Sequence, residues 1–66
     1  MQRAHGTICS LPKNAGTVCD DNVKELRWYF NESKFQCMAF TFLGCGGNGN
    51  NFVSLKECQR SCMPSM

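Results

Sequence analysis

The chain has 66 residues, a formal net charge of +2 and six cysteines, at positions 9, 19, 37, 45, 58 and 62. So small and scattered a charge excludes the basic face that nucleic acid or an anionic membrane surface would require, and no apolar run approaches the ~20 residues of a membrane-spanning helix. A chain of this size hides only about 60 % of the surface its unfolded form exposes, and a core that small rarely supplies more than ~3–5 kcal/mol, so burial alone does not hold the fold.

Residues 1–8 are polar, carry Arg3 and His5 and lack the apolar stretch of a signal peptide; they read as a flexible N-terminal tail on a mature or excised piece. Residues 10–24 contain Ser10, Pro12, Asn14, Gly16, Asp20, Asp21 and Asn22 and show neither a helical nor a strand period. The expectation is an irregular exposed loop carrying Cys9 and Cys19, either a plain connector or a recognition platform. Leu26–Phe30 is aromatic and β-prone, Asn31–Lys34 is a polar break, and Phe35–Leu43 is β-prone again. Two such runs predict a β-hairpin, with Cys37, Phe35 and Ala39 on one face and Phe40 and Phe42 on the other. Gly44–Asn51 holds four glycines and three asparagines, so a coil with positive φ angles is expected, with Asn50 or Asn51 turned inward to satisfy backbone groups. Ser54-Leu55-Lys56-Glu57 fits a capping box, with Val53 placed as a hydrophobic staple. In the helix that follows, Leu55, Cys58 and Cys62 share one face. Residues 63–66 read as a C-terminal tail.

An even number of cysteines in a short, cysteine-dense chain is the mark of a disulfide framework and hence of an oxidising compartment, which predicts a secreted, extracellular protein. Spacing does not choose among the many pairings. A zinc site does not fit, because ligands come in close pairs and the single histidine, His5, has no partner nearby. With one imidazole there is no Ser–His–Asp or Cys–His set, no phosphate loop and no metal motif. The chain is expected to be neither an enzyme nor a cofactor binder. Asn31-Glu32-Ser33 matches an N-glycosylation sequon at the hairpin turn, where Asn31 either accepts a sugar or starts the turn.

The blocks R-W-Y-F-N (27–31), F-T-F-L-G-C (40–45), G-G-N-G-N-N-F (46–52) and K-E-C-Q-R-S-C (56–62) resemble the Kunitz, or pancreatic trypsin inhibitor, domain, as does the spacing Cys37, Cys45, Cys58, Cys62. The resemblance covers residues 9–62. It implies a small disulfide-rich α+β fold, a twisted hairpin with a C-terminal helix, and the pairing Cys9–Cys62, Cys19–Cys45 and Cys37–Cys58. It also implies a monomer that binds a protein partner, a serine protease in most of the family. A rigid loop (here Thr17, Val18, Cys19, Asp20, Asp21 and Asn22) enters the protease, with a secondary loop at Phe42, Leu43 and Gly44. The residue after the second cysteine fills the primary specificity pocket.

That residue is Asp20, where trypsin inhibitors carry Lys or Arg to meet a carboxylate in the pocket. Like charges in a desolvated site cost several kcal/mol, and an apolar pocket also disfavours an unpaired carboxylate. Asp21 adds a second negative charge. The segment between Gly16 and Cys19 is one residue longer than the family pattern, and that between Cys19 and Arg27 is two longer. Leu43 stands where glycine is usual, where it would push outward, widen the gap to the loop or join an apolar patch with Phe42 and Val18. The resulting expectation is an extracellular binding module that inhibits trypsin poorly or not at all. Two alternatives are an active inhibitor of atypical specificity working through Val18–Asn22, and an ion-channel-blocking toxin, for which only Arg3 and Lys13 offer basic charge near the first cysteine.

Overall fold

The two β-prone runs form an antiparallel hairpin, β2 (Glu25–Asn31) with β3 (Gln36–Phe42), in a computed structural model that describes residues 6–20 and 24–63. The register runs from Glu25↔Phe42 to Asn31↔Gln36. Asn31 closes the strand rather than opening the break. Phe35 falls outside β3 with φ +52°, and its ring meets Phe30 edge-on, centroids 5.3 Å apart. Phe30 pairs with Cys37 and turns inward. On the opposite face Tyr29 and Phe40 pack edge-to-face at 5.7 Å.

The C-terminal helix, α2 (Leu55–Cys62), starts as its sequence predicts. Ser54 is the N-cap and its Oγ accepts from the Glu57 N–H at 3.1 Å. The return bond of Glu57 goes to the N–H of Val53, 3.3 Å from Oε1. The expected staple does not form: Val53 is 67 % exposed. Leu55, expected on the inner face, is 39 % exposed, whereas Cys58 and Cys62 are buried. Leu55 lies on the helix's first turn, and the core packs instead on the two cysteines one and two turns further on.

The three disulfides are Cys9–Cys62, Cys19–Cys45 and Cys37–Cys58, as the family resemblance implies. Two of them build the core, in which Cys9, Cys58 and Cys62 cluster with Phe30 and Met63, and Trp28, Cys37 and Phe52 pack against them. Within the two stretches read as tails, residues 6–8 and 63 have defined structure. Gly6–Cys9 forms a short helix, α1, that delivers Cys9 to α2. Met63 is buried, and its N–H donates to the Gln59 carbonyl at 2.7 Å. Residues 1–5 and 64–66 lie outside the described residues.

Asn50, one of the two asparagines expected to turn inward, is 1 % exposed. Its Oδ1 accepts from the Phe30 N–H at 2.8 Å, and its Nδ2 donates to the carbonyls of Leu11 at 2.8 Å and Phe30 at 3.0 Å. Beside it, Trp28 and Phe52 exchange both backbone hydrogen bonds, at 2.8 and 2.7 Å. The outer edge of β2 is thus paired at Trp28 by a backbone and at Phe30 by a side-chain amide.

Replacing Asn50 by Ala strands two buried backbone groups of Phe30 and the part-buried carbonyl of Leu11. An unsatisfied buried polar group costs about 1–3 kcal/mol, so Asn50→Ala should lose about 3 kcal/mol or more in denaturant unfolding with the disulfides intact. Cys19 is exposed while Cys58 has no exposed surface. Brief mild reduction followed by alkylation and peptide mapping should therefore label Cys19 and Cys45 first, with the other four protected.

Candidate functional site

At the end of the hairpin remote from its turn, the chain is folded back on itself by two glycines. Asn14 starts the approach: its Oδ1 accepts from the Gly16 N–H at 3.0 Å, an Asx-type turn. Gly16 has φ +79°, and a Cβ there would overlap the Cys45 carbonyl oxygen and touch the Phe42 ring at 3.0 Å. Gly47, φ +81°, approaches from the other strand, where a Cβ would stand 3.2 Å from the Asn14 carbonyl oxygen and 3.3 Å from the same ring. Only residues without a side chain permit this approach at these angles.

The approach lets β1 (Thr17–Val18) pair antiparallel with β4 (Gly44–Cys45), in register Thr17↔Cys45 and Val18↔Gly44. Both segments were expected to be irregular. They pair because the Cys19–Cys45 bridge and the bond from the Leu43 N–H to the Ala15 carbonyl, 2.9 Å, hold them in reach. The additional residue between Gly16 and Cys19 is thus taken up in a ladder, and Leu43 does not widen the gap.

Phe42 is the floor of this end. It is buried, so it cannot join the exposed patch expected with Leu43 and Val18. The Arg27 guanidinium carbon lies 4.9 Å from its ring centroid, a cation–π contact. Arg27 also donates from Nη1 to Asn51 Oδ1 at 2.9 Å, and from Nε and Nη2 to Glu25 Oε1 at 3.0 and 2.6 Å. The ring thus has a guanidinium over it and an edge that leaves no comfortable room for a β-carbon at Gly16 or Gly47.

Above the floor, Thr17, Val18, Cys19 and Asp20 are exposed, Val18 at 55 %. Leu43 and Gly44 are half-buried beside them. The structure therefore brings the first four predicted loop residues and the secondary segment to one end of the molecule. Asp21 and Asn22, the other two predicted loop residues, lie outside the described residues. Asn31 sits at the opposite end of the hairpin. Sequence reasoning did not single out Asn14, Ala15, Gly16 or Gly47 as parts of the site; the turn-forming N-A-G triplet is the signal that could have found the first three. Among the described residues no group of His, Cys, Asp and Glu could hold a metal ion, and no helix is long and apolar enough to cross a membrane.

Residues 8–63 match the Kunitz/Bovine pancreatic trypsin inhibitor domain model, and the chain belongs to that family. It is 48 % identical over 59 residues to tissue factor pathway inhibitor 2 of Bos taurus, covering 89 % of this chain and 24 % of the relative. It is 43 % identical over 58 residues to the Kunitz-type serine protease inhibitor textilinin-4 of Pseudonaja textilis textilis, covering 88 % of this chain and 66 % of the relative. The chain thus spans about a quarter of the first relative and about two thirds of the second. A cone snail toxin solved with its lid blocking mechanism superimposes with TM-score 0.76 at 38 % identity, covering 85 % of this chain and 95 % of the toxin. A structure described for pore-modulating toxins that block K+ channels superimposes with TM-score 0.77 at 37 % identity, covering 86 % of this chain and 92 % of that chain; the similar proteins thus include a serine protease inhibitor and a channel blocker.

Gly16→Ala would force a β-carbon into the Cys45 carbonyl at a φ that L residues rarely adopt. The expected result is loss of the β1–β4 pairing, read as lost amide-exchange protection within β1 and β4 and at Leu43, whose N–H bonds the Ala15 carbonyl, and a stability loss of about 2–3 kcal/mol. Protection in β2 and β3 should survive.

Proposed function

We propose that this chain is an extracellular protein-binding Kunitz domain that inhibits trypsin poorly or not at all, with the exposed end at Thr17–Asp20 as its contact surface. One observation carries this reading: Asp20 is exposed immediately after the bridged Cys19, at the position whose side chain enters the primary specificity pocket in inhibitors of this fold. A carboxylate entering a trypsin-like pocket meets a like charge with little water to screen it, and that juxtaposition costs several kcal/mol. The surrounding frame favours binding of some other protein surface. β1 is fixed by a ladder, a disulfide and a closely approached aromatic floor, so little ordering entropy is lost when it meets a partner. The three bridges support an oxidising, extracellular setting.

A second reading has support from the same frame. The ladder and bridge leave the loop base fixed, and relatives such as textilinin-4 are serine protease inhibitors. An inhibitor with altered specificity would then direct Asp20 to a protease whose pocket is basic.

A serine protease panel run on the wild type and on Asp20→Arg separates the two. Under the main reading the wild type leaves trypsin active and inhibits no member of the panel. Nanomolar inhibition of trypsin by the wild type would refute it, and selective inhibition of an acid-preferring protease would establish the second reading instead. Asp20→Arg is expected to gain at least tenfold in trypsin inhibition, because the fixed base then presents a cation to the pocket.

A further inference from the structure

We propose that Asn31 is the acceptor for an N-linked oligosaccharide, carried at the hairpin turn with the contact end left uncovered. The inference starts from how the two ends of its side-chain amide are used. Oδ1 accepts from the Lys34 N–H at 3.1 Å and so anchors the turn. Nδ2 donates to the Tyr29 hydroxyl oxygen at 3.3 Å and to the Met38 sulfur at 3.4 Å, the latter a weak acceptor, and to no backbone group among the described residues. Starting the turn and accepting a sugar are therefore compatible, because they use different atoms. Replacing one of the two Nδ2 hydrogens leaves the other to keep the Tyr29 contact.

Accessibility points the same way. Asn31 is half-buried at the last pair of the hairpin, while Glu32, Ser33 and Lys34 beyond it are exposed, so the C-terminal part of the sequon is open to a transferase. Asn31 and Tyr29 alternate with Phe30, which faces the core, so the sugar leaves from the face turned away from α2. In the transfer, Nδ2 bonds to C1 of a sugar held on a lipid pyrophosphate. The C1–oxygen bond breaks, the lipid pyrophosphate leaves with the bonding pair, and one Nδ2 proton is released.

Position makes the modification compatible with binding. Asn31↔Gln36 is the last pair at the turn and Glu25↔Phe42 is the pair nearest the contact end. Six steps along an antiparallel strand amount to roughly 20 Å. The proposal rests on the extracellular reading above, since the lipid-linked donor belongs to the secretory route.

The test supplies that route. The full chain is fused to a cleavable leader and translated with microsomes, and the product is taken as translocated when it resists added protease. The expected product migrates more slowly than the untreated chain and returns to its mobility after endoglycosidase H. Ser33→Ala should abolish the shift while leaving the Asn31 hydrogen bonds in place. A translocated wild-type product of unshifted mobility would overturn the proposal, as would a shift that persists in Ser33→Ala. Because the leader is provided, either failure leaves the extracellular reading standing. Trypsin inhibition by the glycosylated Asp20→Arg variant should be the same before and after deglycosylation; a tenfold or larger difference would refute the placement away from the contact end.

Discussion

The fold depends on two disulfides that are themselves the interior. Cys9–Cys62 and Cys37–Cys58 bring one helix against both the hairpin and the N-terminal turn, and their sulfurs pack with Phe30 and Met63 where a larger protein would place leucines. In the chain-entropy account, bridges separated by 53 and 21 residues each contribute about 3–4 kcal/mol by restricting the unfolded chain. The same atoms also fill the core, so covalent restraint and burial are not separable here. Apolar side chains are correspondingly free to stay outside, as Val53 and Leu26 do.

The contact end is built on a different principle. Its bridge, Cys19–Cys45, is not part of the core cluster, and order there comes from close backbone approach. Phe42 couples the two regions. Its ring lies under Arg27, which is tied to Asn51 and Glu25, and an edge of the ring stands where side chains at Gly16 and Gly47 would reach. Of the Arg27 contacts, the pair with the half-exposed Glu25 contributes least, because exposed ion pairs are commonly worth less than about 1 kcal/mol. The bond to Asn51 and the stacking on Phe42 fix the guanidinium. The end that carries the proposed contact residues Thr17–Asp20 therefore has a base immobilised from beneath, while the side chains above it are exposed.

What was legible in the sequence follows the range of the interaction. The hairpin, the Ser54 cap and the inward asparagine are local or strongly typed signals, and each appears in the structure. The disulfide pairing was not deducible from spacing; it came through the blocks shared with a family, which carry global information that no local pattern holds. The misplacements have physical causes. Thr17–Val18 and Gly44–Cys45 lack strand character on their own and pair only because the chain between them is closed by a bridge. Val53 and Leu55 fit the staple and the inner face by position, yet both stay exposed while the core gathers around Cys58, Cys62 and Phe30. Phe42, read as part of a secondary contact segment, is buried instead, because Arg27 from the paired strand lies over its ring, a long-range contact that no local pattern carries.

The pairing along the outer edge of β2 has a consequence beyond the monomer. A bare strand edge offers a row of donors and acceptors to any passing chain, and sheets that leave one open invite fibril growth or exchange of segments between copies. Here Phe52 engages both backbone groups of Trp28, and the Asn50 carboxamide, which has the same donor–acceptor pair as a peptide unit, engages both groups of Phe30. A single asparagine and one bridging residue thus act as a truncated third strand. They remove the template at the place where a short, aromatic-rich sheet would otherwise be most prone to recruit its neighbours.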